Sequence, residues 1–381
     1  MKKLIKINYG GDEIMINVTK SDLPSLKKYT KYLEKIWETG WLSNNGDFVQ
    51  LLEKRLKEYL KIENLLLVTN GTLALQLALK SLDIKGEIIT TPFTFSATTN
   101  VILWEGFTPV FVDIDAETFN INPNEIERQL TDKTIAILAT HVYGDPCHVE
   151  ELQKIANRYK IKLVYDAAHA FGVEFKNQSV LNYGDLSTLS FHATKLFHTI
   201  EGGAIIAKDK KILEKLILLR NFGIKSEEEV VLPGINAKMN EFQAIMGLCN
   251  LENIDEKIQH RKTIYNYYKE KLSGIKDIKF QKIISSKYNY GYMPVGFENI
   301  EIRDKIYSEL IKNGIKPRKY FYPLTSDFEY FKEKDINIVK RSDLKNANYI
   351  ADRILCLPLY PDLEIAILDK IIYVIKKVIK K

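Results

Sequence analysis

Through the first two thirds of the chain, amphipathic stretches alternate with short apolar runs. Ser21 to Thr39 sets Leu26, Tyr29, Leu33 and Ile36 three or four residues apart, which predicts a helix with one apolar face. Phe48 to Leu60 repeats the spacing with Leu51, Leu52, Leu56 and Leu60. LLLVTNGT then passes abruptly from an apolar run into Asn-Gly-Thr, and LALQLALKSL follows with strong helix formers, so this segment reads as strand, tight turn, helix. GEIITTP, TPVFVDID, TIAILATHVYG and IKLVYDAA are further short runs, each followed by turn residues or a helix-like segment. Wholly apolar strands separated by helices predict an α/β fold, with a mostly parallel sheet covered on both faces.

After GGAIIAKDK the pattern changes. KILEKLILLRNFG is helical, EEEVVLPGINAKMN reads as a loop, and EFQAIMGLCNLENIDEKIQHRKTIYNYYKEKL as one or two long helices. From about Ser273 short strands and helices return, ending in a helix from Leu363 to Lys381. We therefore expect two units: residues 1–250, an N-terminal arm with a large domain, and residues 251–381, a connecting helix with a smaller α+β domain.

Composition narrows the functional classes. A chain of 381 residues with 45% hydrophobic content can bury a sizeable core. Its net charge of +6 is dispersed among Lys and Glu rather than gathered in an arm, which argues for a solvated surface and against a nucleic-acid partner. Cys147, Cys249 and Cys356 lie far apart, suggesting neither a metal site nor a disulfide framework and fitting a reducing cytoplasm. No segment has the length of a membrane span, so no membrane partner is expected.

The chemistry gathers around SFHATKLFHTIEGG, where Lys195 lies between His192 and His198. Upstream, YDAAHAFG sets Asp166 at the carboxyl end of an apolar strand, where open α/β sheets collect ligands. TNGTLAL starts a helix with Asn70, Gly71 and Thr72, whose backbone N–H groups and dipole suit a phosphate. TTPFTFSATTN supplies aromatic Phe95 at the end of a further strand. An amine, a buried acid, a phosphate cradle and an aromatic face meet the needs of pyridoxal 5′-phosphate: an aldehyde partner, an anion beside the pyridine nitrogen, and phosphate donors.

NGTLALQLAL, TTPFTFSAT, FVDID, HVYG, DAAHAFG, SFHATKLFHTIEGG, GINAKMNEFQA and LCLPLYP resemble, in order and from about Trp41 to Pro361, the motifs of the DegT/DnrJ/EryC1/StrS sugar aminotransferases. The resemblance implies an aspartate-aminotransferase-like fold (PLP fold type I) and a homodimer with active sites at the subunit interface. DAAHAFG and FHATKLFHTIEGG resemble the VioA-type enzymes that aminate dTDP-4-keto-6-deoxyglucose, implying L-glutamate as donor and an aminodideoxy sugar for O-antigen or another surface glycan as the destination. Amination at C3, or of a UDP- or GDP-linked keto sugar, is the alternative reading. Relatives that dehydrate at C3 replace the lysine, so Lys195 argues against that reaction. A catalytically silent binding homologue is disfavoured by intact Lys195, Asp166 and Glu201-Gly202-Gly203.

The family's residues transfer one at a time. Lys195 is similar to the lysine of the internal aldimine, which serves as the base while the cofactor cycles through its pyridoxamine form. Asp166 matches the partner of the pyridine nitrogen, His169 the residue facing the phenolic oxygen, and Phe95 the stacking aromatic, with Phe93 as its neighbour. Gly71, Thr72 and Ser190 match the phosphate cradle, and Asn236 an asparagine reaching the phosphate from the other subunit. Trp41, Asn44, Lys319 and Tyr320 resemble positions near the nucleotide-sugar cleft, where Arg318 or Lys319 could meet a diphosphate. His192 and His198 are expected to be structural. Ala237 and Lys238 stand where the family often has Tyr-Arg, and Tyr165 where an acid commonly precedes the aspartate. Met1 to Asn17 has no clear counterpart and could form a small strand or an ordered arm.

Overall fold

The structure, a computed structural model, describes residues 15–83, 85–332 and 343–380. Seven strands form the central sheet in the order Leu65–Val68, Gly203–Ala207, Leu186–Ser190, Lys162–Asp166, Thr134–Thr140, Glu87–Thr90 and Thr108–Phe111. Gly203–Ala207 runs antiparallel to both neighbours, and the other pairings are parallel. This is the mostly parallel sheet that the apolar runs imply. Leu65 and Leu67 pack into one core and Leu66 and Val68 into the core on the opposite face, so a wholly apolar strand is the cost of covering both sides.

The early helices run Leu26–Thr39, Asp47–Leu60 and Gly71–Lys80. The first starts five residues later than its pattern suggests, because Pro24 disfavours helical backbone at the residue before it and Ser25 takes the N-cap position. The long charged segment resolves into Glu241–Leu251 and Ile254–Leu272, the former opened by a reciprocal capping box between Asn240 and Gln243. A small antiparallel ribbon precedes them, Ile224–Ser226 with Glu229–Val230, so the segment read as a loop from Glu227 contributes its second strand, a local pairing that these exposed residues do not announce by alternation.

A separate apolar core is built from buried residues from Ile264 onward, including Tyr268, Met293, Val295, Leu310, Leu357 and Ile375; the last helix is Ile365–Ile379. Ile254 and Ile258 of the long helix pack with the first core, whereas Ile264, Tyr268 and Leu272 pack with this second one. Another cluster joins Phe93, Phe111 and Tyr143 to Tyr320, Phe321 and Leu344, bringing a C-terminal loop over the end of the sheet. Ile16–Asn17 pairs in parallel with Ile315–Lys316, so the end of the N-terminal segment does form a small strand; Met1 to Ile14 lie outside the described residues.

Candidate active site

The carboxyl ends of the Thr134–Thr140, Lys162–Asp166 and Leu186–Ser190 strands open into a cavity of about 660 Å³. Gly71, Thr72, Phe95, Asp166, His169, Ser190, Lys195 and Tyr320 all line it. These eight come from turns and strand ends spread over some 250 positions, and the sheet's register brings them together.

Asp166 ends the central strand of the sheet and is buried. Its Oδ2 accepts from the Thr98 hydroxyl at 2.6 Å and its Oδ1 from the Ala168 N–H at 3.0 Å. Thr98 in turn belongs to a hydroxyl chain through Thr94 to Thr140, with separations of 2.9 and 2.8 Å. Burial raises the Asp166 pKa, against the pull of Thr98, the Ala168 amide and Lys195. Such a carboxylate gains from a cation placed beside it.

Lys195 lies in the turn after Leu186–Ser190, and its Nζ donates to the Tyr292 hydroxyl at 3.1 Å. Burial lowers the pKa of its ammonium, with Arg318 adding to that effect and Tyr320 and Asp166 opposing it. The buried His169 is held neutral, its pKa pushed well down by burial and by the charges of Lys195 and Arg318. Its ring lies 4.4 Å from that of Tyr292 and parallel to Phe321, and its Nδ1 has no hydrogen-bond partner among the described residues.

The far wall is a helix N-terminus. Asn70 caps Gly71–Lys80 by accepting from the Leu73 N–H at 2.8 Å, leaving the N–H groups of Gly71 and Thr72 ahead of the first intrahelical partner. A Cβ on Gly71 would stand 2.7 Å from that of Ser190, and one on Gly203 would stand 2.6 Å from the Asn70 carbonyl oxygen. Glycine at both positions therefore lets the turn lie against the sheet, with Ser190 beside it. Helix amides, a hydroxyl, an unpartnered buried imidazole nitrogen, a buried carboxylate and a partly desolvated amine fit pyridoxal 5′-phosphate in charge and donor type.

Other expected residues are placed differently. Phe95 is not at a strand end: Glu87–Thr90 stops before Pro92, which has no N–H for the ladder, and Phe95 takes the N-cap position of Ser96–Trp104. Phe95 is half-exposed on the cavity, while Phe93 is buried against Phe119, Tyr143 and Phe321. Asn236 is exposed outside the cavity, where it bridges to Asn221. Trp41 lines a separate groove with Gly46 and Glu241, and the neighbouring Asn44 is exposed. Lys319 faces Asp304 at 2.6 Å, whereas Arg318 lines the cavity with its guanidinium carbon 4.2 Å from the Tyr320 ring centre. Lys238 reaches Asn221 at 2.8 Å, the neighbouring Ala237 is buried, and Tyr165 stacks on His141. His198 is buried between the Asp22 carbonyl and Asn250, as expected of a structural histidine; His192 is exposed at the cavity rim, 3.5 Å from Glu201. Sequence reasoning did not single out Thr98 or Tyr292.

A family model matches residues 25–378 and describes the DegT/DnrJ/EryC1/StrS aminotransferases. The chain belongs to this family. It is 45% identical over 362 residues to a dTDP-4-amino-4,6-dideoxy-D-glucose transaminase of Escherichia coli, covering 93% of this chain and 96% of that one. A Shigella dysenteriae protein of the same name is 42% identical, covering 95% and 99%. Among solved structures, DesI with its TDP-sugar product superposes with a TM-score of 0.90 at 27% identity, covering 97% of this chain and 94% of that chain. Helicobacter pylori PseC, an aminotransferase of pseudaminic acid biosynthesis, superposes at 0.86 and 26% identity, covering 95% and 99%. This sugar aminotransferase thus has the fold expected from its apolar pattern and its motifs.

Proposed function

We propose that this aminotransferase moves an amino group from L-glutamate to C4 of a dTDP-linked 4-keto-6-deoxyhexose, supplying an aminodideoxy sugar for a surface glycan. One observation carries the chemistry: Lys195 Nζ, the Asp166 carboxylate and the start of Gly71–Lys80 face the same cavity. The relatives at 42% and 45% identity carry the choice of sugar, against GDP-perosamine synthases near 31%.

Pyridoxal 5′-phosphate, when bound, supplies an electron sink for the carbon that loses its proton. Gly71, Thr72 and Ser190 would hold its phosphate, Asp166 its ring nitrogen, Phe95 and His169 its ring, and Lys195 its aldehyde carbon. The Lys195 amine, released by the incoming donor, takes the proton from the donor's Cα and becomes an ammonium. In the return direction the same Nζ delivers a proton to the sugar carbon bearing the new nitrogen. Its lowered pKa favours the neutral amine that this work requires. Asp166 stays anionic opposite a protonated ring nitrogen, since a charge partner offsets its burial.

In the same reading, residues 1–250 form the large cofactor-binding unit and 251–381 the connecting helix and small unit. The protein works in the cytoplasm as a homodimer, with Asn236 serving the partner's cofactor; its exposed place outside this chain's cavity supports that assignment. Among the described residues no helix is long and apolar enough to cross a membrane.

The test is a panel of dTDP-, UDP- and GDP-linked 4-keto and 3-keto sugars with L-glutamate, scored by product mass and by NMR regiochemistry. A preference for a 3-keto isomer or for a UDP or GDP sugar overturns the substrate. Lys195→Ala should remove the yellow cofactor band after dialysis, and a persistent borohydride-reducible adduct in that variant would move the attachment to another lysine.

A further inference from the structure

Tyr292 lies just before the strand Pro294–Gly296, almost one hundred positions from Lys195, and its hydroxyl meets the lysine Nζ at 3.1 Å. The loop that carries it is pinned on several sides. Asn289 donates to the carbonyls of His169 and Phe171 at 2.8 and 3.0 Å and accepts from the Gly291 N–H at 3.1 Å. The neighbouring Tyr288 hydroxyl donates to the Tyr143 carbonyl at 2.9 Å, and the Tyr292 ring itself lies between His169, Tyr143 and Tyr320 at centroid distances of 4.4, 5.7 and 5.9 Å. The phenol is therefore delivered to Lys195 by a fixed frame, and the desolvation of this partly buried tyrosine raises its pKa and keeps it un-ionised.

From this geometry we infer that Tyr292 is a positioning residue for the Lys195 amine in the interval when the amine is free. The inference rests on the reading of Lys195 as the base. A lysine has four rotatable side-chain bonds, and an amine released from a covalent bond would sample many rotamers before each proton transfer. With one N–H donated to the phenol oxygen, Nζ stays at the cavity and its lone pair is left for the proton of the substrate carbon. Tyr292 itself neither gains nor loses a proton. Its contribution is orientational, and it acts equally in both half-reactions because the same free amine serves both.

The experiment compares cofactor-loaded wild type, Tyr292→Phe and Tyr292→Leu. The phenylalanine variant keeps the ring against His169 and deletes only the hydroxyl, and unchanged cofactor content and thermal midpoint verify that it folds. In heavy water, exchange of the L-glutamate Cα proton should fall at least about tenfold in maximum rate for Tyr292→Phe, with the half-saturating glutamate concentration unchanged. A rate within twofold of wild type overturns the inference, as does a raised half-saturating concentration at normal maximum rate, which would make Tyr292 a donor contact. A second measurement needs no amino donor. Protein stripped of cofactor and returned to saturating pyridoxal 5′-phosphate should recover its visible band more slowly in both variants, and equal recovery rates overturn the inference. Wild-type protein that reloads normally but exchanges no glutamate proton refutes the donor proposed above, leaving the reloading rates to judge Tyr292.

Discussion

Replacing Asp166 by Asn tests the centre of the proposed chemistry with little change of shape. The amide oxygen can still accept from the Ala168 N–H, now at 3.0 Å from Oδ1. The amide nitrogen faces Thr98 Oγ1 at 2.6 Å, and the chain Thr98–Thr94–Thr140 consists of hydroxyls that can reverse direction so that Thr98 accepts. The fold should lose no more than about 1 kcal/mol, a thermal shift of about 1 °C for a chain of 381 residues. What disappears is the negative charge. Two opposite charges about 4 Å apart at an effective dielectric near 20 attract by about 4 kcal/mol, or close to three powers of ten in rate if wholly expressed in the transition state. Some of that attraction already acts in the ground state, so the expected loss is at least about a hundredfold in each half-reaction. Stopped-flow absorbance reads the two separately: loss of the yellow band with L-glutamate, then its return with the dTDP-linked keto sugar. Turnover near that of wild type would reduce Asp166 to a strand-end cap, and a loss matched by a collapse in thermal midpoint would make its role structural.

Arg318→Gln should raise KM for at least one anionic substrate about tenfold, since it lines the cavity, while Lys319→Gln, already engaged with Asp304, should stay within twofold in the same steady-state assays. Mixing Lys195→Ala chains with Asn236→Ala chains should restore activity, because a hybrid of two shared sites has one site with both lesions and one with neither; activity at the level of the parents, with subunit exchange confirmed, removes the shared-site proposal. Buried Asp145, which accepts from the Ile284 and Ser285 amides, has its carboxyl raised from 3.8 to about 6, chiefly by burial. A carboxyl raised on folding favours the folded state below its unfolded pKa, and that advantage is lost as pH climbs through the folded value. Between pH 4 and 6.5 Asp145→Asn should therefore gain about 2 kcal/mol relative to wild type, read from urea midpoints at the two pH values, and an unchanging gap would show that Asp145 does not titrate in this range.

Much of the site was legible because its parts are local. LLLVTNGT announces a strand running into a helix N-terminus, YDAAHAFG an acid at the end of a buried strand, and SFHATK with EGG a lysine turn between two strands; each follows from periodicity and turn chemistry within about ten residues. The parallel sheet follows from strands apolar on both faces, as Thr134 to Thr140 shows: parallel to both neighbours, it sends Ala136 and Leu138 into one core and Ile137 and Ala139 into another. Tertiary structure alone decided which groups face those parts. Thr98 reads as one threonine among several in TFSATTN until the sheet puts it 2.6 Å from Asp166. Tyr292 reads as one of 21 tyrosines until a loop anchored on the His169 backbone carries it to Lys195. Phe93 and Phe95 are equivalent by spacing, and only packing against Phe119, Tyr143 and Phe321 assigns the first to the core and leaves the second on the cavity. Local pattern reports how a segment buries its own surface; a contact between side chains far apart in the chain depends on the register and packing of the elements between them, and so exists only once the fold has closed.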